Sequence, residues 1–251
     1  VHSWKDISMD SVIATIRQCM PRGSEPLPVI DLIENDTLAI NQAAWLIWMI
    51  GRGSSWLVGA GPGNAGKTTL MTSLLVFLPA GEEARLTHPG ARWKSFGRNT
   101  CVVTEEISDH DPDCYLWEED VLGLTSVPAQ GGRITSTIHA ETLEEAREQI
   151  GSQCNAGDEG LAAFGLFIPI EVSFADDTRQ RRARHNRDVS SRTVRHIHYY
   201  GSRGWKTIDR SVKLTVEQKQ IVDFLAACRE EGTHSCQALR TAWVAAGGMA
   251  G

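Results

Sequence analysis

The chain has no C-x-x-C pair, although it carries six cysteines, Cys19, Cys101, Cys114, Cys154, Cys228 and Cys236. Scattered cysteines exclude a disulfide framework and a zinc ribbon, so a reducing, cytoplasmic setting is expected. Cys228, His234 and Cys236 lie close together, but no fourth ligand is evident and no metal is expected there. Long apolar runs are also missing. The longest covers residues 43–50, far below the roughly 20 residues that cross a bilayer. No signal-peptide pattern opens the chain, and a start at Val1 rather than Met reads as a fragment or a processed chain. Positive charge is in deficit: 25 Lys and Arg against 31 Asp and Glu leave a net charge of −6. That balance argues against a protein that coats nucleic acid, while leaving a local basic surface open. What remains is an ordinary globular composition, 41% hydrophobic and 22% charged, which implies a packed core. The length of 251 residues suits one α/β domain with appendages, or two small domains.

Against that background one motif stands out. Gly61-Pro62-Gly63-Asn64-Ala65-Gly66-Lys67-Thr68 fits G-x-x-x-x-G-K-[ST] at every fixed position. Such a loop curls so that successive backbone N–H groups face phosphate oxygens. Lys67 is then expected to reach the β- and γ-phosphates, and the Thr68 hydroxyl to take one place on Mg²⁺. Thr69 follows within the same phosphate-binding turn. The flanks suit the motif. Residues 55–60 form a short apolar run of strand type, and residues 69–78 read as a helix stopped by Pro79. Strand, loop and helix together aim a helix N-terminus at an anion.

Elsewhere, residues 6–20 carry apolar positions at helical spacing, and residues 21–28, with three prolines and a glycine, read as a linker. Asp36-Thr37 is expected to cap a helix running to about Ile50. Residues 79–99 read as irregular. Apolar runs at 101–104, 113–117 and 133–138 read as strands, ending respectively in Glu105-Glu106, Glu118-Glu119 and His139. Residues 141–150 read as a helix, 164–174 as mostly strand, and 192–208 as a hairpin turning at 201–204. Two helices at 215–229 and 235–246 close the chain, the second capped by Thr233 or Ser235. Strands that end in acidic residues or histidine and alternate with helices fit a parallel sheet with ligand groups at its carboxyl edge. The implied division is an N-terminal helical segment (1–52), a P-loop core (53–210) and a C-terminal helical extension (211–251).

Hydrolysis of a γ-phosphate also needs a carboxylate near water and metal. The strand-end candidates are Glu105 or Glu106 and Glu118 or Glu119, with His139 as a phosphate sensor or water positioner. The basic run from Arg179 to Arg187 lacks aromatics and reads as a solvated loop more readily than a nucleic-acid contact. The last two helices have a helix-turn-helix outline, but Arg240 is the only strong charge on the second, so packing or docking is expected. The eight tryptophans are dispersed and read mostly as core or subunit contacts.

Residues 131–142, Gly-Gly-Arg-Ile-Thr-Ser-Thr-Ile-His-Ala-Glu-Thr, resemble the His box of the type II/type IV secretion and type IV pilus assembly ATPases. The match falls on Gly131, Ser136, Thr137, Ile138 and His139, with Gly132 in place of the family's first histidine. Thr104-Glu105-Glu106 resembles the family's acidic box after the strand that follows the P-loop. Residues 111–119 resemble its Walker B strand, with Glu119 as the final glutamate and Glu118 where the family has glycine. The resemblance covers roughly residues 55–200. The two acidic segments are closer together than in the family, the N-terminal domain is absent or reduced to residues 1–50, and the four-cysteine metal subdomain is absent.

The resemblance implies an α/β, RecA-like P-loop NTPase with a largely parallel central sheet, N-terminal helices and a C-terminal helical pair. It implies ATP and Mg²⁺ as ligands, with Lys67, His139 and either Glu106 or Glu119 in catalysis. It further implies a hexameric homo-oligomer with ATP between neighbours, peripheral at the inner membrane with secretion or pilus machinery. A neighbour's arginine would complete such a site, and Arg85, Arg92, Arg98 and Arg133 are the candidates. Two alternatives stay open: a nucleotide-binding switch or assembly module with little hydrolysis, and a small-molecule P-loop kinase. A GTPase is disfavoured because no Asn-Lys-x-Asp motif occurs.

Overall fold

The computed structural model describes residues 10–21, 23–110, 113–174 and 189–249. Its centre is a seven-stranded sheet formed by β1 (Trp56–Gly59), β2 (Glu83–Leu86), β3 (Thr100–Val103), β4 (Arg133–Ile138), β5 (Leu166–Pro169), β8 (His196–Gly201) and β9 (Gly204–Asp209). Their order across the sheet is β2-β3-β4-β1-β5-β8-β9. The first five run parallel, and β8 and β9 close one edge as an antiparallel hairpin. A separate antiparallel pair, β6 (Glu171–Phe174) and β7 (Val189–Thr193), lies between β5 and β8 in the chain.

Helices cover both faces, as a parallel sheet requires. On one side lie α1 (Ser11–Cys19), α2 (Val29–Glu34), α3 (Ile40–Gly51), α4 (Lys67–Leu75), α8 (Val216–Glu230) and α9 (Cys236–Ala245). On the other lie α5 (Glu119–Thr125), α6 (Leu143–Arg147), which continues into a π-helical turn over Glu148–Gln153, and α7 (Gly157–Ala162). The period-2 alternation of a strand divides the core between these layers. Trp56 and Val58 of β1 join the first cluster and Leu57 the second. Cys101 and Val103 of β3, with Val102, split the same way, as do Leu166 and Ile168 of β5, with Phe167. The first cluster draws on the N-terminal helices, the P-loop helix and the C-terminal pair alike, so one core runs through all three of the expected segments.

This is an α/β fold of RecA-like P-loop type. Its diagnostic feature is β4, inserted between the P-loop strand β1 and the acid-bearing strand β3. Several expectations change in detail. Residues 79–99 hold an edge strand, β2, which α1 clasps through Thr15 Oγ1 to the Ala84 carbonyl at 2.9 Å. The expected strand over 113–117 is not one. Leu116 makes a single bridge to Ile107, and the backbone turns at Glu118 with φ +46°. The helix expected from Asp36-Thr37 begins instead at Ile40, with the Gln42 side chain accepting from Ala39 N at 3.1 Å. Ser235, not Thr233, caps α9. The basic run at 179–187 lies outside the described residues. No helix among the described residues is long and apolar enough to cross a membrane.

Candidate functional site

The site forms at the carboxyl edge of β1, β4 and β3, three adjacent parallel strands. β1 is fully buried and hands the chain to the loop at residues 60–66. The loop closes on Gly66, whose φ of +88° lies in the left-handed region, where a side chain costs roughly 1–2 kcal/mol. α4 then begins at Lys67. No side chain caps its N-terminus, so its first N–H groups are available to an anion. The strand end is closely packed. A Cβ on Gly59 would overlap the Ala140 carbonyl oxygen, and one on Gly61 would overlap Glu141 Oε1.

Three of the sequence candidates converge. Lys67, only 7% exposed, places Nζ 3.3 Å from Glu106 Oε2 and 3.2 Å from His139 Nε2. Glu106 Oε1 lies 3.2 Å from the same ring nitrogen. Strand order explains the meeting: β1 and β3 are two strand spacings apart, roughly 9–10 Å, and His139, at the end of β4, fills the gap. The supports are local. Thr104 N donates to Thr135 O and Ile107 N to Thr137 O, which extends the β3–β4 pairing past Glu106. Leu116 N donates to Glu106 O at 2.9 Å, so the segment expected as a Walker B strand instead props this glutamate. Gln149, on the π-helical turn, donates to His139 O at 2.6 Å.

The contacts set the histidine's protonation pattern. Nδ1 lies 2.9 Å from the Gly61 carbonyl oxygen, which can only accept, so Nδ1 carries hydrogen. In the neutral ring Nε2 is then an acceptor for the Lys67 ammonium. Burial pushes Lys67 below the ordinary lysine range, and the charge and hydrogen bond of Glu106 draw it partly back.

These groups line a cleft of about 940 Å³, together with Gly63 to Leu70, Tyr115, the N-terminal stretch around Cys19 to Leu27, and Arg192 of β7. Thr68 lies in it beside Lys67. Glu105 is half-buried, and its carbonyl accepts from Thr137 Oγ1 at 2.7 Å. Its charge reaches Cys19, whose thiol is pushed up to about 12, first by burial and then by Glu105. Glu119 is elsewhere: it is exposed in the first turn of α5 and does not line the cleft, so of these two glutamates only Glu106 reaches Lys67.

The arginines sort in a way that sequence did not foresee. Arg133 is buried, donating to Ile50 O at 2.5 Å and Glu82 Oε1 at 2.6 Å, and is committed to the fold. Arg85 pairs with Glu83 on the surface, and Arg92 and Arg98 are exposed. Arg192, missed in sequence, donates from Nη2 to Asn64 O in the P-loop at 3.1 Å. Its one signal in the sequence was its place just after the basic run at 179–187. Among the described residues no group of three or more His, Cys, Asp or Glu side chains is placed to hold a metal ion. Cys236 instead donates to Pro26 O.

No family model matches the chain, and no curated protein matches it. Eighteen solved chains do match. One is the ATPase DotB of Legionella pneumophila, at 10% identity and a TM-score of 0.36, covering 94% of this chain and 66% of DotB. The chain thus spans slightly under two thirds of that structure's length. At that distance the likeness adds no detail, and the fold reading rests on the strand order and the P-loop.

Proposed function

We propose that the chain is an ATP-binding and ATP-hydrolysing subunit of a secretion- or pilus-type motor, with Lys67, Glu106 and His139 at its reaction centre. The observation that carries the reading is the convergence of Glu106 and His139 on Lys67 at an uncapped helix N-terminus. The loop suits a triphosphate: the left-handed Gly66 turns N–H groups inward, and the cleft has room for a nucleotide. The donor set suits Mg²⁺, which takes hard oxygen ligands. The Thr68 hydroxyl, in the cleft beside Lys67, would take one place on it. Bound with ATP, the ion neutralises phosphate charge.

In the reaction Glu106 accepts a proton from water, and the water oxygen bonds to the γ-phosphorus. The bond from that phosphorus to the bridging oxygen breaks, and ADP leaves with the electron pair. His139 positions Lys67 by accepting at Nε2 while its Nδ1–H stays anchored on Gly61, and Lys67 in turn holds Glu106. An arriving phosphate draws Lys67 away from Glu106, so nucleotide binding itself releases the base.

That same pairing favours the second reading, a switch with little hydrolysis, if Glu106 stays engaged after ATP binds. Phosphate release by the purified chain decides between them. Lys67→Ala is expected to lose both nucleotide binding and turnover. Glu106→Gln is expected to keep binding and turn over ~10²–10⁴-fold more slowly. Unchanged turnover in Lys67→Ala sinks the ATPase reading, and tight ATP binding without phosphate release in the unaltered chain selects the switch. The hexameric ring, the peripheral place at an inner membrane and the coupling to export or filament assembly come from the resemblance. Mass measurement with and without ATP tests the ring.

A further inference from the structure

Arg192 sits on the P-loop by construction. Its strand, β7, is anchored at the base of the β6–β7 pair. Ile170 N, just before β6, donates to Gly59 O at 2.8 Å. Val194, just after β7, is fully buried, and its N–H donates to Thr37 O at 2.8 Å. Arg195 then pairs with Glu171 at 2.7 Å. Two residues before the Val194 anchor, Arg192 lies opposite Val172 and reaches over the loop. Nη2 donates to the Asn64 carbonyl. Its Cδ and Nε lie 3.2 and 3.5 Å from where a Cβ on Gly66 would stand, so the stem of the arginine rests on that glycine.

Among the described residues no carboxylate forms an ion pair with Arg192, whereas Arg85, Arg133, Arg195, Arg210, Arg229 and Arg240 all have one. A guanidinium has five N–H donors in a planar fork that suits phosphate oxygens. Here it is parked on a backbone carbonyl at the rim of a phosphate-binding loop, in the same cleft as Lys67, Glu106 and His139.

We infer that Arg192 is a catalytic arginine supplied in cis, reading the γ-phosphate of a bound nucleoside triphosphate. This rests on the ATPase reading above. When the triphosphate fills the loop, the guanidinium leaves Asn64 O and bonds a γ-phosphate oxygen and the β–γ bridging oxygen with two of its N–H groups. As the bond to the bridging oxygen breaks, negative charge moves onto the departing diphosphate, and Arg192 offsets it. The chain then carries within itself a charge that ring ATPases can draw from a neighbour.

The test compares Arg192→Ala, Arg192→Lys and Glu106→Gln in phosphate release, and measures the affinity of each for fluorescent ATP and ADP analogues. Arg192→Ala is expected to lower kcat about a thousandfold and to weaken ATP more than ADP. Arg192→Lys is expected to recover part of the rate, which keeps the test open if the alanine variant folds poorly. Arg192→Ala with kcat within about threefold of the unaltered chain, while Glu106→Gln is inactive, overturns the inference and leaves the ATPase reading standing. Equal weakening of ATP and ADP with unchanged kcat also overturns it. If the unaltered chain hydrolyses no ATP, the ATPase reading fails first. A selective loss of ATP over ADP binding in Arg192→Ala then still supports γ-phosphate contact.

Discussion

Arg240→Met is expected to cost about 3 kcal/mol of stability. Arg240 lies on α9 and is 3% exposed. Its Nε donates to Asp10 Oδ2 at 3.0 Å, and its Nη1 donates to the Val76 carbonyl at 3.1 Å and to the Leu78 carbonyl. Val76 and Leu78 directly follow the P-loop helix α4, where carbonyls lack helical partners and the helix dipole favours a cation. Methionine keeps an apolar stem of similar length, so little packing is lost and the change falls on the polar contacts. Breaking a buried ion pair from one side costs about 3–5 kcal/mol. The Asp10 side chain is 33% exposed and can turn to water, which puts the cost at the low end. The carbonyls left without a donor, at roughly 1 kcal/mol each, fall within that figure. For a chain of this size about 3 kcal/mol lowers Tm by about 6–12 °C. Urea unfolding followed by tryptophan fluorescence, with calorimetry for Tm, measures both. Asp10→Asn should cost under about 1 kcal/mol, because that end of the pair is solvated. An Arg240→Met variant within about 1 kcal/mol of the unaltered chain would refute the view that this guanidinium ties the C-terminal pair to the P-loop helix.

Gly59→Ala should cost more than about 2 kcal/mol, because its Cβ meets the Ala140 carbonyl and the Phe167 ring, neither of which can easily give way. Gly61→Ala should be mild by comparison, since the obstruction there is the end of the Glu141 side chain; equal urea midpoints for the two variants would contradict this. Burial pushes the thiols of Cys19 and Cys236 up to about 12 from an ordinary 9.0, with Glu105 and Asp31 adding to it. The folded chain therefore holds these protons more tightly than the unfolded one, so stability is intact below about pH 9 and falls as pH rises toward about 12. Urea midpoints at stepped alkaline pH, compared with a Cys19→Ala, Cys236→Ala double variant, should show a shallower fall in the variant.

Elements with strong local signals were legible: β1, the P-loop, β3, β4, the β8–β9 hairpin and the two final helices. β2 was not. Its four residues alternate exposed Glu83 and Arg85 with Ala84 and Leu86, and what makes it a strand is pairing to β3 and the clasp of α1. The opposite error occurred at 113–117, where an apolar run is spent supporting Glu106 and packing beneath α5, not pairing along its length. The short helices α2 and α7, six residues each, have too few turns to show a period.

By itself the sequence determined the glycine-rich loop between β1 and α4, because each of its requirements is local: glycines for the curl, a lysine and a threonine at set offsets, and an apolar strand before them. It also placed Glu105-Glu106 and His139 at strand ends, though not Glu118-Glu119. Only the tertiary structure decided which of them meet. Inserting β4 between β1 and β3 brings His139 and Glu106 onto Lys67 and buries Arg133 in the fold, while Glu119 stays exposed on α5 and the anchored β6–β7 pair lays Arg192 across the loop. Those choices depend on strand order and on anchors far apart in the chain, which no local pattern of residues encodes.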